Sequence, residues 1–438
     1  MRVSFRKVVY SILGAYFLLT CYTGYLLVRR RLARSREDYA RVQQLADILR
    51  DDPEWNPWGE EFENGEEARY EAPQWKVENP VVKSNKTNNN SQEFVVEIWG
   101  KAAIGLYLWE HILNGHLERK LGGMWSYGMK KINNIRFKFR TGPGVIPSKV
   151  PKSTENVILV LNGREPSKID FAKLWLDFLP TLTNLKNVAV ILLGNEQCNN
   201  EWIKSYMQLR GGPVKFVFLV YDSPDIDDQN FYQWPLGVAT YRDFPKVDSA
   251  HLPVETHRKY LCNFLGTIYP NSSRETLIET LKSSQHGKQC YYRVRHEWSP
   301  KETEDSRDDY LRSLAQSDLT LSPVGVNTEC YRIYEALSYG SLPVVEDVMT
   351  SGNCGHSVSS KNIPLRLLKE SKAPFIYVKH WSELPALLEK EAAMSQVQKA
   401  NRRRHFIQWY EDFKSKMRDV LVRTLQEKFF YNKINKIQ

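Results

Sequence analysis

The chain reads as an α/β protein of two consecutive Rossmann-like domains facing a cleft, behind an N-terminal membrane anchor. Three observations predict this. The β-branched or apolar runs Val157–Leu161, Val188–Leu193 and Phe216–Val220 alternate with helical stretches at 169–182 and 201–209, as in a parallel sheet buried on both faces. A second such series follows, centred on 319–347, LTLSPVGVNTECYRIYEALSYGSLPVVED. Ahead of both, Val8–Val28 runs 21 residues without a charge, enough to span a bilayer as a helix.

Arginines follow that run directly and no small-residue cleavage site is present, so it reads as an uncleaved anchor. Residues 1–7 are then a cytoplasmic tail, 8–28 the transmembrane anchor and 29–92 a stem ending in a disordered linker, KSNKTNNNSQ. The near flanks hold three basic residues before the span and five after it, which by positive-inside counting opposes a lumenal C-terminus. Large following domains weaken that rule, and sequons at Asn85, Asn89 and Asn271 make glycosylation an expectation.

The net charge of +10 belongs to the membrane flank. Arg2, Arg6, Lys7, Arg29, Arg30, Arg31, Arg34 and Arg36 precede the first acidic residue, and subtracting these eight from 61 leaves 53 basic against 51 acidic residues. That balance gives no nucleic-acid footprint. Of six cysteines, Cys21 lies in the span, and Cys198, Cys262, Cys290, Cys330 and Cys354 are scattered with no CxxC pair. A zinc ribbon or thioredoxin-like site is thereby excluded. Up to two disulfides are expected with one thiol left over, in a pairing the sequence leaves open.

Residues 93–255 form the first domain, with a helix over Val95–Leu113, an extended Asn134–Arg140 and the three strands named above. Each strand ends in polar residues (Asn162 and Glu165, Asn195 and Glu196, Asp222), and carboxyl-end positions of parallel strands face a cleft. Residues 256–394 form the second domain. Tyr260–Gly266, Cys290–Val294 and Phe375–Val378 read as strands, and Arg274–Lys282, Tyr310–Ser317 and Trp381–Glu391 as helices. Residues 395–438 are helical and basic and are expected to pack back across both domains.

Within 319–347 a strand breaks at Ser322-Pro323-Val324-Gly325, and a helix is expected from Asn327 or Thr328 to Tyr339 with an N-cap at its start. Gly340 then stands where a left-handed residue ends a helix, and Pro343-Val344-Val345 opens the next strand. A helix N-terminus behind a strand-end loop suits a diphosphate. Arg332 and Glu335 share a helix face; the arginine can grip a phosphate and the carboxylate can accept two ribose hydroxyls. Solvated surface charge is the bland alternative.

No GxGxxG follows a predicted strand, and GxxxxGK[ST], GxSxG and HExxH are absent, which excludes the common dehydrogenase, P-loop, serine hydrolase and zinc-protease readings. Asp225-Ile226-Asp227 after the strand 216–220 matches the DxD pattern by which two carboxylates hold Mn²⁺ or Mg²⁺ on a donor diphosphate. A helix terminus and arginines do that work without a metal, so a divalent cation is admitted but not favoured.

The spacing of Pro323, Gly325, Arg332, Glu335-Ala336-Leu337 and Pro343-Val344-Val345 resembles the sugar-nucleotide segment of the exostosin-type glycosyltransferases. Arg258-Lys259-Tyr260-Leu261-Cys262-Asn263-Phe264-Leu265-Gly266 resembles the first donor-domain strand of that family. The resemblance implies the GT-B architecture, with donor on the second domain and acceptor on the first, and a Golgi type II membrane protein with a lumenal catalytic domain. It runs over residues 95–438 and within the family is greatest to a xylose-transferring member. It therefore implies inverting transfer of xylose from UDP-xylose to ribitol 5-phosphate on the O-mannosyl glycan of α-dystroglycan, with other transferases of that pathway as partners and no required cofactor.

By the same resemblance Arg332 holds the diphosphate and Glu335 the ribose, while Ser322, Gly325 and Thr328 supply loop contacts. Arg274, at a helix start, is a second phosphate ligand or else a surface arginine. Asp222, Glu196 and Glu165 are the candidate general bases, Asp222 first, and Arg164, Arg242 or Lys215 the candidate contacts for an anionic acceptor. Two rivals stand beside this reading: a non-catalytic Golgi scaffold that keeps the fold, and a metal-dependent transferase using Asp225 and Asp227.

Overall fold

The computed structural model describes residues 93–120, 124–297, 303–355 and 363–430. The expected anchor, stem and linker, with Asn85 and Asn89, lie outside the described residues. Residues from Asn90 on form one compact unit.

Two sheets carry the fold. The first has eight strands in the order β2-β3-β4-β1-β5-β6-β7-β8. They are β1 (Phe94–Gly100), β2 (Glu118–Lys120), β3 (Trp125–Ile132), β4 (Ile135–Thr141), β5 (Asn156–Asn162), β6 (Asn187–Leu193), β7 (Val214–Val220) and β8 (Phe231–Trp234). From β4 across to β8 every pairing is parallel; β2 and β3 add an antiparallel edge.

Val95–Leu113 is therefore not one helix. Its first part is β1, and the helix begins at Ile104 and continues as a π-helix over Tyr107–Ile112. Val95, Val96 and Ile98 favour a pleated strand. Because β1 is buried on both faces apart from Val95, no alternation betrays it. The expected helix at 201–209 is one turn, Glu201–Lys204, with a separate 3₁₀ turn at Gln208–Arg210.

The second sheet is wholly parallel, in the order β10-β9-β11-β12-β13. Its strands are β9 (Tyr260–Thr267), β10 (Tyr291–Arg295), β11 (Ser317–Ser322), β12 (Leu342–Glu346) and β13 (Ile376–Val378). The chain leaves β9 toward β10 on one side and returns to β11 on the other, so the topological switch point lies between β9 and β11. In open α/β sheets that crevice binds ligand. The helix expected at 310–317 instead spans Glu304–Ala315, and Ser317 already belongs to β11.

The helix Gln396–Leu425 crosses both sheets. Ser395 and Gln398 close it with a capping box. Phe406, Tyr410, Phe413, Met417, Leu421 and Leu425, spaced three and four apart, form its buried stripe. Each such side chain contributes about 1.5–3 kcal/mol on burial. Tyr410 Oη lies 3.2 Å from Tyr107 Oη of the first domain, and Phe430, just beyond, stacks on Phe94 at 4.0 Å between centroids. Toward the second sheet, Lys399 and Arg403 bracket the buried Asp318 at 2.9 and 3.0 Å.

Cys262 and Cys290 form a disulfide within the second sheet, Cys198 and Cys354 form one between the two sheets, and Cys330 keeps its thiol. One thiol left over is what the cysteine count predicts.

Candidate active site

Strand ends of both sheets open onto one cleft of about 770 Å³. Arg164, Glu196, Tyr221 and Leu236 reach it from behind β5, β6, β7 and β8; Thr267, Arg295 and Gly325 reach it from β9, β10 and the loop after β11.

At the switch point two guanidinium groups converge. Arg274 stands second in the helix Ser273–Ser283, whose N-cap Ser272 accepts the Glu275 N–H. Its Nη1 donates to Thr267 O at 2.8 Å. Arg332 stands second in the helix Tyr331–Ser338, with Nη2 donating to Leu265 O at 3.0 Å and its carbon 5.1 Å from the Phe264 ring centre.

Two glycines make room for them. A Cβ on Gly325 would lie 2.7 Å from Arg274 Nη2, and one on Gly266 would lie 3.0 Å from Arg332 Nη2. Burial first, and then the charge of Arg332, lower the Arg274 guanidinium below its ordinary value. Two like charges held together at the starts of two helices suit a polyanion, and forked guanidinium groups suit phosphate.

Arg258, the first residue of the strand motif, shapes this site from behind. Its buried side chain donates to Leu314 O, Ser317 O and Tyr339 O, at 3.2, 2.6 and 2.6 Å. It thereby ties the end of the Arg332 helix to β11. Burial pushes its guanidinium down to about 9.

The helix carrying Arg332 starts later than its sequence suggests, at Tyr331 with Cys330 as N-cap. Thr328 is not its cap. Its N–H donates to Thr350 Oγ1 and its hydroxyl to Val348 O, while Glu329 N–H donates to Asn327 Oδ1, so local side-chain bonding outcompetes the first turn. Thr328 and Ser322 are buried and do not line the cleft; Gly325 does. Gly340 has the expected left-handed φ, 67°.

Glu335 lines the cleft, but both oxygens are already engaged: Oε1 accepts the Ala239 N–H at 3.0 Å and Oε2 the Tyr310 hydroxyl at 2.5 Å. Burial raises its pKa. A third carboxylate, Glu329, escapes the sequence reading because it falls within the supposed first turn. Its Oε1 accepts the Leu236 N–H at 2.9 Å and the Tyr334 hydroxyl at 2.5 Å, and burial pushes it up to about 7. Its place between the glycine loop and Arg332 was the signal available.

On the facing wall the three candidate bases part company. Glu196 lines the cleft, 2.5 Å from Arg164 Nη2, and its carbonyl accepts from Asn327 Nδ2 of the loop after β11 at 2.7 Å. Glu165 is exposed beside Lys168 at 3.9 Å and stands outside the cleft lining. Asp222 also stands outside it, with Oδ1 3.3 Å from Arg366 Nε. Burial, partly offset by Arg366, raises Asp222 to about 6. Tyr221, at a left-handed φ of 72°, lines the cleft in its stead.

Asp225 pairs with Lys204 at 2.7 Å, and Asp227 accepts the N–H groups of Gln229, Asn230 and Phe231. Neither carboxylate lines the cleft. Among the described residues no group of three or more His, Cys, Asp or Glu side chains is placed to hold a metal ion. Lys215 donates to Lys428 O at 3.5 Å, away from the cleft, whereas Arg164 and Arg242 line it. Asn271 is exposed, at φ 56°.

Arginines at 164, 242, 274, 293, 295, 307 and 332 line the cleft against glutamates at 196, 329 and 335. A switch-point crevice facing a second α/β sheet, with this excess of guanidinium, suits an anionic, phosphate-bearing ligand. Residues 96–235 match the model of the RXYLT1 N-terminal domain and residues 241–430 that of the RXYLT1 C-terminal domain. Curated relatives named ribitol-5-phosphate xylosyltransferase 1 are similar throughout. The Danio rerio protein is 46% identical over 98% of this chain and 99% of its own length. The Homo sapiens protein is 43% identical over 99% of each, and the Mus musculus protein 45% identical over 91% of this chain and 88% of its own. The chain belongs to the ribitol-5-phosphate xylosyltransferase family and is a glycosyltransferase. Among solved structures, the catalytic domain of starch synthase IV from Arabidopsis thaliana aligns over 75% of this chain and 100% of that one, at TM-score 0.33 and 9% identity, too slight a likeness to carry an argument.

Proposed function

We propose that the protein transfers xylose from UDP-xylose to ribitol 5-phosphate on the O-mannosyl glycan of α-dystroglycan, inverting the anomeric carbon to give a β-xyloside. The convergence of Arg274, beside Gly325, and Arg332, beside Gly266, at the switch point carries this reading. Departing UDP gains negative charge in the transition state, and preorganised cations stabilise that charge selectively. An inverting transfer also needs one base on the acceptor side. Glu196 is that base in this reading, because it alone of the three sequence candidates lines the cleft. The acceptor hydroxyl oxygen bonds to the sugar carbon, the bond from that carbon to the diphosphate breaks with its electron pair leaving on UDP, and the hydroxyl proton passes to Glu196.

The arginines neutralise the diphosphate, so no cofactor is invoked; Asp225 and Asp227 keep their internal partners. The uncharged run Val8–Val28 serves as a type II anchor that places the catalytic part in the Golgi lumen, near other transferases of the pathway. UDP release by the full-length protein in detergent tests the reading. UDP-xylose and other UDP-sugars are offered with ribitol 5-phosphate, with and without EDTA. Release confined to UDP-xylose and surviving EDTA is expected. Turnover abolished by EDTA moves the chemistry to a metal, and release with another donor changes the sugar.

A further inference from the structure

The donor diphosphate leaves part of the cationic lining unexplained. Arg274 and Arg332 lie on the second sheet, whereas Arg164 and Arg242 lie on the facing wall. There they gather around aromatic side chains. Arg242 stands over the Tyr241 ring at 5.4 Å, and the Tyr241 and Tyr331 rings meet edge-on at 5.6 Å. Arg164 is held at its main chain by Asn195 Nδ2, which donates to Arg164 O at 2.9 Å. Its side chain keeps 31% of its surface exposed and reaches Glu196, the carboxylate that the proposed chemistry requires unencumbered. While Glu196 Oε1 accepts from Arg164 at 2.5 Å, that oxygen is not open to a substrate hydroxyl.

We propose that Arg164 and Arg242 form a binding site for the phosphate of a phosphorylated polyol acceptor, and that this phosphate draws Arg164 away from Glu196. The inference rests on the transfer reading above. The guanidinium offers five donors, and the unesterified oxygens of a phosphate can accept two of them in a fork where Glu196 accepts through one oxygen. Once Arg164 turns to the phosphate, Glu196 Oε1 is released to accept the proton of the attacking hydroxyl. The acceptor phosphate thus serves both as anchor and as trigger. A neutral polyol would enter the cleft and find the base still paired. Selectivity for phosphorylated ribitol would then appear in kcat as well as in KM.

The test compares ribitol 5-phosphate with ribitol as acceptors of the full-length protein, under UDP-xylose, with UDP affinity measured by calorimetry as a control for folding. In the wild type, kcat/KM should favour the phosphorylated acceptor by roughly 10- to 100-fold, the range for one or two charge-assisted hydrogen bonds. Arg164→Ala should collapse that ratio toward unity while UDP affinity stays within a factor of about two. Arg164→Lys, which keeps the charge and loses the fork, should restore part of it. Arg242→Ala should raise KM for ribitol 5-phosphate and leave kcat nearly unchanged. Equal losses on both acceptors, or a loss of UDP affinity in Arg164→Ala, would assign Arg164 to the donor and overturn the proposal. Wild-type transfer with no preference for phosphate overturns it alone. Absence of transfer to either acceptor overturns the underlying reading with it.

Discussion

Cys198 and Cys354, 156 residues apart in the chain, form a disulfide that joins the loop behind β6 to the loop behind β12. Hydrogen bonds surround it: Asn353 N–H donates to Gln197 O at 2.9 Å and Asn327 Nδ2 to Glu196 O at 2.7 Å. The two sheets are therefore clasped beside the cleft-lining Glu196.

Removing the clasp should loosen the cleft. A loop this long constrains the denatured chain by about 5 kcal/mol in the chain-entropy view, and losses on removal of native disulfides run about 2–5 kcal/mol. The double variant Cys198→Ser, Cys354→Ser should melt several degrees lower and exchange amide hydrogens faster at 195–199 and 350–354. An unchanged melting temperature would mean that the helix Gln396–Leu425 alone holds the sheets together.

Gly325→Ala separates folding from binding. The atom a new Cβ would meet is the side-chain end of Arg274 and not backbone, so the fold should tolerate it at a cost of about 1 kcal/mol. Arg274 must then leave its place over the loop. UDP affinity should fall by roughly tenfold, the value of one charge-assisted hydrogen bond. Calorimetry on the purified variant checks this, and wild-type affinity would show that Arg274 does not touch the donor.

Glu196→Gln and Asp222→Asn should differ in kind. Loss of a general base costs about 10²–10⁴ in kcat, so Glu196→Gln should nearly abolish transfer while still binding UDP. Asp222 pairs with Arg366 outside the cleft, and Asp222→Asn leaves that buried guanidinium uncompensated. Its deficit should appear in thermal stability, with kcat within a few-fold of wild type. A collapse of kcat in Asp222→Asn would restore it as the base.

Glu329 gives stability a pH dependence. Burial raises its carboxyl from 4.5 to about 7, so between those values the folded protein binds a proton that the unfolded chain has released. Stability from this group is therefore full below about 4.5 and lost as pH rises through about 7. Glu329→Gln keeps an oxygen for the Leu236 N–H and the Tyr334 hydroxyl but does not ionise. Its stability relative to wild type should rise across that window, by roughly 3 kcal/mol at full ionisation. Denaturant melts at pH 5 and pH 8 check the difference, and a constant offset would mean that Glu329 does not titrate there.

Local chemistry made much of this protein legible. Runs of β-branched or apolar residues located β5, β6 and β7, and the family-like motif Arg258–Gly266 located β9. Gly340 marked a helix end because the left-handed conformation suits a residue without a side chain. The glycine, arginine and glutamate of 325–335 marked a segment that lines the cleft, and Gly266 and Gly325 gain their reason once both arginines are seen to need the space. These signals depend on neighbours a few residues away, which a sequence displays directly.

Partners far apart in the chain decided the rest. Asp222, Glu196 and Glu165 all follow strand ends, yet only Glu196 lines the cleft. A left-handed turn at Tyr221, and Arg366 from the other half of the chain, account for the place of Asp222. Glu335 meets Ala239 and Tyr310, Thr328 meets the 348–350 segment, and Cys198 finds Cys354 rather than a nearer cysteine. The local sequence of this chain determines most of its sheet strands and which strand-end loop opens on the cleft. Which carboxylate faces the cleft is decided by desolvation and pairing, and these exist only once the two sheets have closed on each other.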